Sequence, residues 1–176
     1  MSMRAAGAGI VAMVLMGAAA IGQAPAAAVE AQSKTVPTEV ITAVTLESVQ
    51  KRIQAMGFDC TRPKDEKGQD KTYVIFQAEG FKVIVFVPSA TTVEMDTIFD
   101  DVHPSLETVN AWNRDNRFSR AYIEKDGSAD LEDDLDLAAG VTAAGFENYI
   151  KTFRNSVGRW AHYVVEHEDK KPAAGN

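Results

Sequence analysis

Apolar residues recur every three or four positions in three stretches of the chain, which is the spacing of an amphipathic helix. The first predicted helix begins after Thr45, a suitable N-cap, and ends at Gly57. The second follows Ser105, and its predicted inner face consists of Leu106, Val109 and Trp112. The third begins at Thr142, and its apolar stripe consists of Phe146, Ile150, Phe153, Val157, Ala161 and Val164, with Trp160 beside it.

Strands are predicted between these helices, four before the second helix and two after it. The predicted strands cover residues 58–61, 73–78, 81–87, 92–99, 118–124 and 131–137. The short links Glu79–Gly80 and Asp126–Gly127 favour hairpins, so the sheet should be mostly antiparallel. The predicted fold is therefore a two-layer α+β domain with the order α-β-β-β-β-α-β-β-α. Its helices should cover one face of a sheet of five to six strands.

The first residues of the chain resemble an export signal. Arg4 precedes an apolar run rich in Ala and Gly, and small residues follow at Ala24, Ala26 and Ala28. This pattern is typical of a secretory signal peptide that is cleaved by signal peptidase. We expect cleavage after Ala26 or Ala28 and a periplasmic protein, with an uncleaved membrane anchor as the alternative.

The organisation predicted for the whole chain has four parts. Residues 1–26 form the signal peptide, residues 27–44 a linker, residues 45–165 one folded domain, and residues 166–176 a disordered tail. A single domain of this size buries enough surface to be stable without disulfide bonds.

Charge and cysteine content narrow the classes of function. The formal net charge is −7, and it becomes −8 when the segment that contains Arg4 is removed. An acidic chain without a Lys/Arg cluster is a poor match for nucleic acid or an anionic membrane. The one cysteine, Cys60, has no basic neighbour in sequence that would activate its thiol. We interpret it as a small apolar residue, with an intermolecular bridge or a reactive thiol as the alternative.

Motifs for catalysis or cofactor binding are not found in the sequence, so no catalytic, cofactor-binding or metal-binding residues are predicted. His103 follows Asp100 and Asp101, but this is too small a ligand set for a zinc site. The acidic run from Asp126 to Asp136 also fails as a calcium loop, because Leu131 occupies the position that requires glycine. Alternation in this run instead predicts a solvated acidic strand face, with docking of a basic partner or weak cation binding as alternatives.

A group of Asn110, Trp112 and Asn113 marks the end of the second predicted helix. An exposed Trp between amides would suit a binding platform. However, Trp112 shares the apolar face of its helix, and Asn113 suits the geometry of a helix end. We therefore expect a structural role for this group.

The segment 109–123, together with Asp126–Gly127, the run 131–137 and Gly140–Thr142, resembles the bacterial YbjN-type domain family. The resemblance covers roughly residues 42–165 and is most specific at the Asn-Trp-Asn helix end. The family is described as a sensory transduction regulator, and its fold is similar to that of type III secretion chaperones. The resemblance implies a non-enzymatic α+β domain whose fold-mates bind protein segments, often as dimers. Exported members often carry a cysteine pair before the fourth strand, where this chain has 88–92 without cysteine.

Three functional hypotheses follow from these observations. The first is an exported, non-catalytic module that binds an unknown protein partner, with a homodimer as an option, and that needs an exposed apolar groove or sheet face. The second is a sensor of a small molecule or ion, which needs a pocket with convergent polar groups. The third is an enzyme of unrecognised type, which needs titratable groups that meet in a cleft.

Overall fold

The computed structural model of the chain describes residues 39–167. The predicted signal peptide 1–26, residues 27–38 of the predicted linker and residues 168–176 of the predicted tail lie outside the described residues. None of the helices in the described part is long and apolar enough to cross a membrane.

Within the described residues, short strands and three helices follow one another along the chain. In order they are β1 (Val40–Ile41), α1 (Leu46–Ala55), β2 (Tyr73–Ala78), β3 (Phe81–Ser89), β4 (Thr92–Phe99), α2 (Leu106–Asp115), β5 (Arg120–Ile123), β6 (Ala129–Asp136), β7 (Val141–Thr142) and α3 (Ala143–Glu166). The main sheet has the order β2-β3-β4-β6-β5, and β1 and β7 form a separate pair. All strand pairs are antiparallel.

The α+β fold class is confirmed, with the helices on one face of a five-stranded sheet. Alternate strand residues such as Val85, Met95 and Leu131 are fully buried on the helix side. Ile53 and Phe153 are among the helix residues buried in the same core. Apolar residues at every second position of the strands and at every third or fourth position of the helices therefore lie in the same core.

The long helix α3 is attached to the middle of the sheet by one polar side chain. The Tyr149 hydroxyl lies 2.7 Å from the Asp133 carbonyl oxygen and 3.2 Å from the Val93 carbonyl oxygen. Burial raises the pKa of Tyr149 far above its usual value, so the phenol keeps its proton and donates. This contact fixes α3 over the junction of β4 and β6.

The strand predicted at residues 58–61 is wrong. Only Thr61 makes a bridge, to Ile75. The Cys60 carbonyl oxygen instead accepts hydrogen bonds from the side-chain amides of Gln50 and Gln54, at 3.1 and 2.7 Å. Because α1 takes this acceptor, the segment follows the helix and does not extend the sheet.

The boundary of the predicted linker needs correction at its C-terminal end. Residues 40–44 belong to the folded domain, since Ile41 and Val44 are buried in the core. Val40 pairs with Thr142 across the β1–β7 ladder. Gly140, at φ 85°, allows this approach, because a Cβ there would lie 2.8 Å from a methyl group of Val40. A two-residue strand is too short to show periodicity in a sequence.

A second correction concerns Leu106, which was predicted on the inner face of α2. Its side chain is 70% exposed, whereas Val109 and Trp112 are buried. Leu106 is the first residue of α2, directly after the N-cap Ser105. At that position the helix has only begun to approach the core. The helical spacing of apolar residues alone therefore wrongly predicts that Leu106 is buried.

Replacing Thr97 by valine is expected to stabilise the domain by about 1 kcal/mol. Thr97 is fully buried on the helix side of β4, and its hydroxyl has no hydrogen-bond partner. Valine keeps the shape and removes the desolvated hydroxyl. Urea denaturation measures the change, and Thr97→Ser, which keeps the hydroxyl and loses the methyl group, should be destabilising. A Thr97→Val variant less stable than the parent would contradict this explanation.

Candidate functional site

The structural role expected for the Asn-Trp-Asn helix end is what the structure shows. Trp112 is only 1% exposed, so it is not a binding platform. Asn113 places its side-chain amide against β5, where it donates to the Ala121 carbonyl and accepts from the Ala121 N–H, both at 2.9 Å. Asn110 is exposed. The motif therefore joins the end of α2 to the edge of the sheet.

Replacing Asn113 by alanine is expected to destabilise the domain by about 1–2 kcal/mol. The change removes both hydrogen bonds to Ala121 and leaves backbone groups of the edge strand β5 without partners. Thermal denaturation measures the loss. Asn110→Ala is the matched control on the same helix, because Asn110 is exposed, and it should change stability little. Equal effects of the two substitutions would contradict this role of Asn113.

An open groove of about 790 Å³ runs beside α3, and we call it the helix groove. One wall comes from the β2–β3 turn, with Glu79 and Phe81, and the other from α2, with Trp112 and Asn116. The α3 residues along it are Asn155, Gly158, Arg159, Ala161, His162, Tyr163 and Glu166. The groove combines an aromatic wall with charged rims.

An aromatic cluster forms the wall of the helix groove. The Trp112 ring lies 5.1 Å from that of Trp160 and 5.4 Å from that of Tyr163. The Arg159 guanidinium lies 5.6 Å from the Trp112 ring centroid and donates to the Asn116 side-chain oxygen. Both indole N–H groups are buried without a hydrogen-bond partner. The aromatic wall is therefore packed against the core, and the Arg159 guanidinium covers the Trp112 ring.

The opposite face of the main sheet has no helix among the described residues packed on it, and we call it the outer sheet face. Its apolar half lies on β2 and β3 and consists of Tyr73, Ile75, Ile84 and Phe86. Its acidic half lies on β4 and β6, and we call it the acidic patch: Glu94, Asp96, Asp130, Glu132 and Asp134. The register places Ile84 directly opposite Asp96, so the two halves adjoin.

The acidic patch differs from the solvated acidic face that the sequence predicts. Asp134 is exposed, but Asp130 is 1% exposed and Glu132 is 9% exposed. Arg120 on β5 forms an ion pair with Glu132. Asp130 has one oxygen bonded by the Tyr122 hydroxyl at 3.1 Å, and its other oxygen, Oδ1, has no partner. The patch therefore contains two buried acidic side chains as well as the exposed Asp134.

Two carboxyl groups of this patch have clearly perturbed acidity. Burial raises the pKa of Asp96, and the proximity of the Asp130 carboxyl raises it further. Burial, followed by repulsion from Asp134, raises the pKa of Glu94. Sequence analysis missed this arrangement. Alternation places Glu94 and Asp96 on one side of β4, but it does not reveal that β4 and β6 are neighbours.

The two edges of the main sheet are partly occupied within the chain. At the β2 edge, Thr61 and Ile75 exchange two backbone hydrogen bonds of 2.8 and 2.9 Å. At the β5 edge, the Asn113 side chain bonds to both backbone groups of Ala121. An added strand therefore could not pair with Ile75 at one edge or with Ala121 at the other unless these contacts were broken.

His103 and Cys60, the other residues considered as candidate site residues, have structural roles. His103 Nδ1 lies 2.9 Å from the Gly127 carbonyl oxygen, which ties two loops together. Among residues 39–167 no cluster of His, Cys, Asp or Glu has metal-binding geometry. Cys60 is fully buried, and burial raises the pKa of its thiol to about 11. The thiol is therefore protonated near neutral pH and is not poised as a nucleophile.

Comparison with solved structures shows the same fold in another protein. The "Crystal structure of YbjN, a putative transcription regulator from E. coli" aligns at a TM-score of 0.55 with 12% identity, and the match covers 73% of this chain and 93% of that one. The "Crystal structure of the Yersinia Pestis type III secretion chaperone SycH in complex with a stable fragment of YscM2" aligns at a TM-score of 0.44 with 12% identity. That match covers 64% of this chain and 96% of the other. A search of curated proteins found no match.

Comparison with family models covers most of the chain. The model of the YbjN family, described as "Putative bacterial sensory transduction regulator", matches residues 45–166. The match includes every helix of the structure and all strands of the main sheet. It also contains the Asn-Trp-Asn helix end and the acidic run on β6. The chain belongs to the YbjN family.

Proposed function

We propose that this YbjN-family chain is an exported, non-catalytic regulatory or chaperone-like module that binds a protein partner through its outer sheet face. The observation that carries this proposal is the composition of that face. An apolar half around Ile84 adjoins the acidic patch around Asp96, and the helices of the described residues pack on the other face of the sheet. Apolar surface bordered by charge is the common composition of a protein interface.

The shape of the outer sheet face favours a protein over a small molecule. Small ligands bind in concave sites that enclose most of their surface. A depression of about 370 Å³ on this face is open to solvent and would not enclose such a ligand. Because Thr61 and Asn113 occupy the two sheet edges, a partner is more readily accommodated across the face than as an added strand.

Export is the second part of the proposal. Arg4, the apolar run and the small residues around Ala26 support a cleaved signal peptide and a periplasmic location. The described domain has a continuous apolar core and its one cysteine is buried, so folding requires no disulfide formation. N-terminal sequencing of protein recovered from the periplasmic fraction tests this part. A mature start after Ala26 or Ala28 is expected, and a cytoplasmic chain that begins at Met1 would contradict it.

A photo-reactive residue at Ile84 tests the binding surface in living cells. Ile84 lies on β3 where the apolar half meets the acidic patch, and it is half-buried. The same residue placed at exposed Asn148 on α3 is the control on the helix side. We expect a protein adduct from position 84 that is absent from position 148. Adducts from position 148 alone, or none from either position, would refute binding through the outer sheet face.

The helix groove supports a second candidate function, a sensor of a small molecule. The specific observation in its favour is the meeting of Arg159, His162 and Glu166 beside an aromatic wall. A thermal-shift screen of metabolites tests it, because a ligand that binds the folded state raises the melting temperature. A hit should lose its effect in Arg159→Ala if the groove is the site. Binding that survives this substitution would place the ligand elsewhere.

A further inference from the structure

Charged side chains of opposite sign lie two turns apart on the α3 side of the helix groove. Arg159 and Glu166 are both exposed, and both line the groove. They are seven residues apart in one helix, so they lie on the same side of it, with about 10 Å between them along its axis. Tyr163, which is half-buried, lies between them and also lines the groove. The groove therefore presents a positive, an aromatic and a negative position in line.

The positive position is held in place by its neighbours. The Arg159 guanidinium lies 5.6 Å from the Trp112 ring centroid and donates to the Asn116 side-chain oxygen. A guanidinium carries five N–H donors, so the bond to Asn116 leaves others available. Its planar fork fits a carboxylate, and a side chain that is already held loses little conformational freedom when it binds one. Arg159 is therefore suited to recognition of a carboxylate.

The negative position runs against the usual charge pattern of a helix. The C-terminal end of a helix carries a partial negative charge and favours basic residues. The last turn of α3 contains no basic residue, and the helix ends on Glu166. Glu166 therefore adds negative charge to a helix end that is already negative, which disfavours the helix on its own. An ammonium group of a ligand would interact favourably with both the carboxylate and the helix end.

We propose that the helix groove binds a free peptide of about three residues, with its C-terminal carboxylate at Arg159 and its N-terminal ammonium at Glu166. An extended peptide advances about 3.3 Å per residue, so three residues match the separation of the two charges. The middle side chain of the peptide packs on Tyr163 and Phe81, the half-buried rings of the groove. This inference rests on the second candidate function, since it names the ligand class of the same groove.

The charges of the groove disfavour other ligands of similar size. Glu79 is engaged by Arg154 at 2.6 Å, so a ligand meets the charges of Arg159 and Glu166, with His162 between them. A simple anion would bring negative charge to Glu166, and a simple cation would bring positive charge to Arg159. An uncharged ligand would desolvate both groups without pairing either. A zwitterion pairs both, and the groove volume of about 790 Å³ is within the range of small-ligand sites.

Isothermal titration of the full chain with the free tripeptide Ala-Phe-Ala tests this inference. The matched controls are the same tripeptide with an acetylated N-terminus, with an amidated C-terminus, and with both modifications. We expect each single modification to weaken binding at least about tenfold, because each removes one charge-assisted contact. Free phenylalanine should also bind at least about tenfold more weakly, because its two charges are too close together to reach both ends of the site.

Substitutions assign each end of the peptide to a residue. Arg159→Gln should weaken binding of Ala-Phe-Ala at least about tenfold, and C-terminal amidation should then have little further effect. Glu166→Gln should do the same for N-terminal acetylation. A general loss of stability would not produce this pairing of effects. Lys151→Gln and Glu147→Gln, at an exposed ion pair of α3, make the same changes in net charge and should alter affinity less than about threefold. Circular dichroism checks that all variants fold.

The outcomes separate this inference from the proposed functions. No binding of Ala-Phe-Ala at millimolar concentration, equal binding of the doubly modified peptide, or unchanged affinity in the Arg159 and Glu166 variants would overturn the peptide site. If a metabolite from the thermal-shift screen still depends on Arg159 in any of these cases, the groove remains a sensor site and only the ligand class is wrong. If none does, the second candidate function fails as well. The Ile84 cross-link tests the outer sheet face independently of all these results.

Discussion

Replacing Trp112 by alanine is expected to lower the free energy of unfolding by about 4 kcal/mol. The indole is almost fully buried between α2 and α3, with the rings of Trp160 and Tyr163 as neighbours. Alanine would leave a cavity that these rings can fill only partly. Domains of this size are stable by about 5–15 kcal/mol, so the variant would retain a small margin at most. Urea denaturation followed by circular dichroism measures the loss.

Two further variants control the Trp112 result. Trp112→Phe keeps an aromatic ring and should cost clearly less than alanine. Leu106→Ala lies on the same helix at a side chain that is 70% exposed, and it should change stability by less than about 0.5 kcal/mol. A loss below about 1 kcal/mol in Trp112→Ala would show that the ring is dispensable to the core, and would revive the binding-platform interpretation of this residue.

The second large effect is a loss of stability as the pH rises, which Asp96→Asn should suppress. Burial and the proximity of Asp130 raise the pKa of Asp96 to about 8, and burial raises that of Asp133 to about 6. The unfolded chain has aspartate pKa values near 3.9. The folded state therefore binds more protons between these limits. The contribution of these two groups to the free energy of unfolding is fully present below about pH 4. It declines as the pH rises through about 6 and 8.

Asparagine at position 96 removes the proton requirement and keeps the size of the side chain. We expect Asp96→Asn to be more stable than the parent by about 1–3 kcal/mol near pH 9, with a smaller difference near pH 5. Asp134→Asn, an exposed member of the same patch, is the control and should leave the pH profile almost unchanged. Denaturation series at several pH values measure this. A parent protein whose stability rises between pH 6 and 9 would contradict the raised pKa of Asp96.

The hydrophobic pattern was sufficient for the fold class and for most elements. The long helix α3 and the alternating strand β4 have a clear period and one buried face, so their positions follow from the residues alone. The prediction failed where the period is too short to detect, as in β1. It also failed at residues 58–60, where side chains of α1 bond to the Cys60 carbonyl and the segment does not join the sheet.

The candidate site was less predictable than the fold because it depends on strand order. The alternation in β4 and in β6 places Asp96 and Asp130 on outward sides, but neither sequence stretch states that the two strands are neighbours. Once they pair, cross-strand neighbours such as Tyr122 bury a carboxylate that would otherwise be solvated. The family resemblance was sufficient to predict the domain. The acidic patch could not be predicted without the pairing register of β4 and β6.

Methyl NMR of the labelled protein in unlabelled periplasmic extract tests the binding surface most directly. Isoleucines report on both sides of the sheet: Ile75, Ile84 and Ile98 lie on the outer sheet face, and Ile53 and Ile150 lie in the core. The indole N–H signal of Trp112 reports on the helix groove, and that of Trp160 reports on the aromatic ring packed against Trp112. Binding through the outer sheet face predicts that the signals of Ile75, Ile84 and Ile98 shift or broaden while the core and indole signals stay. Changes confined to the indole signals, or an unchanged spectrum, would contradict it.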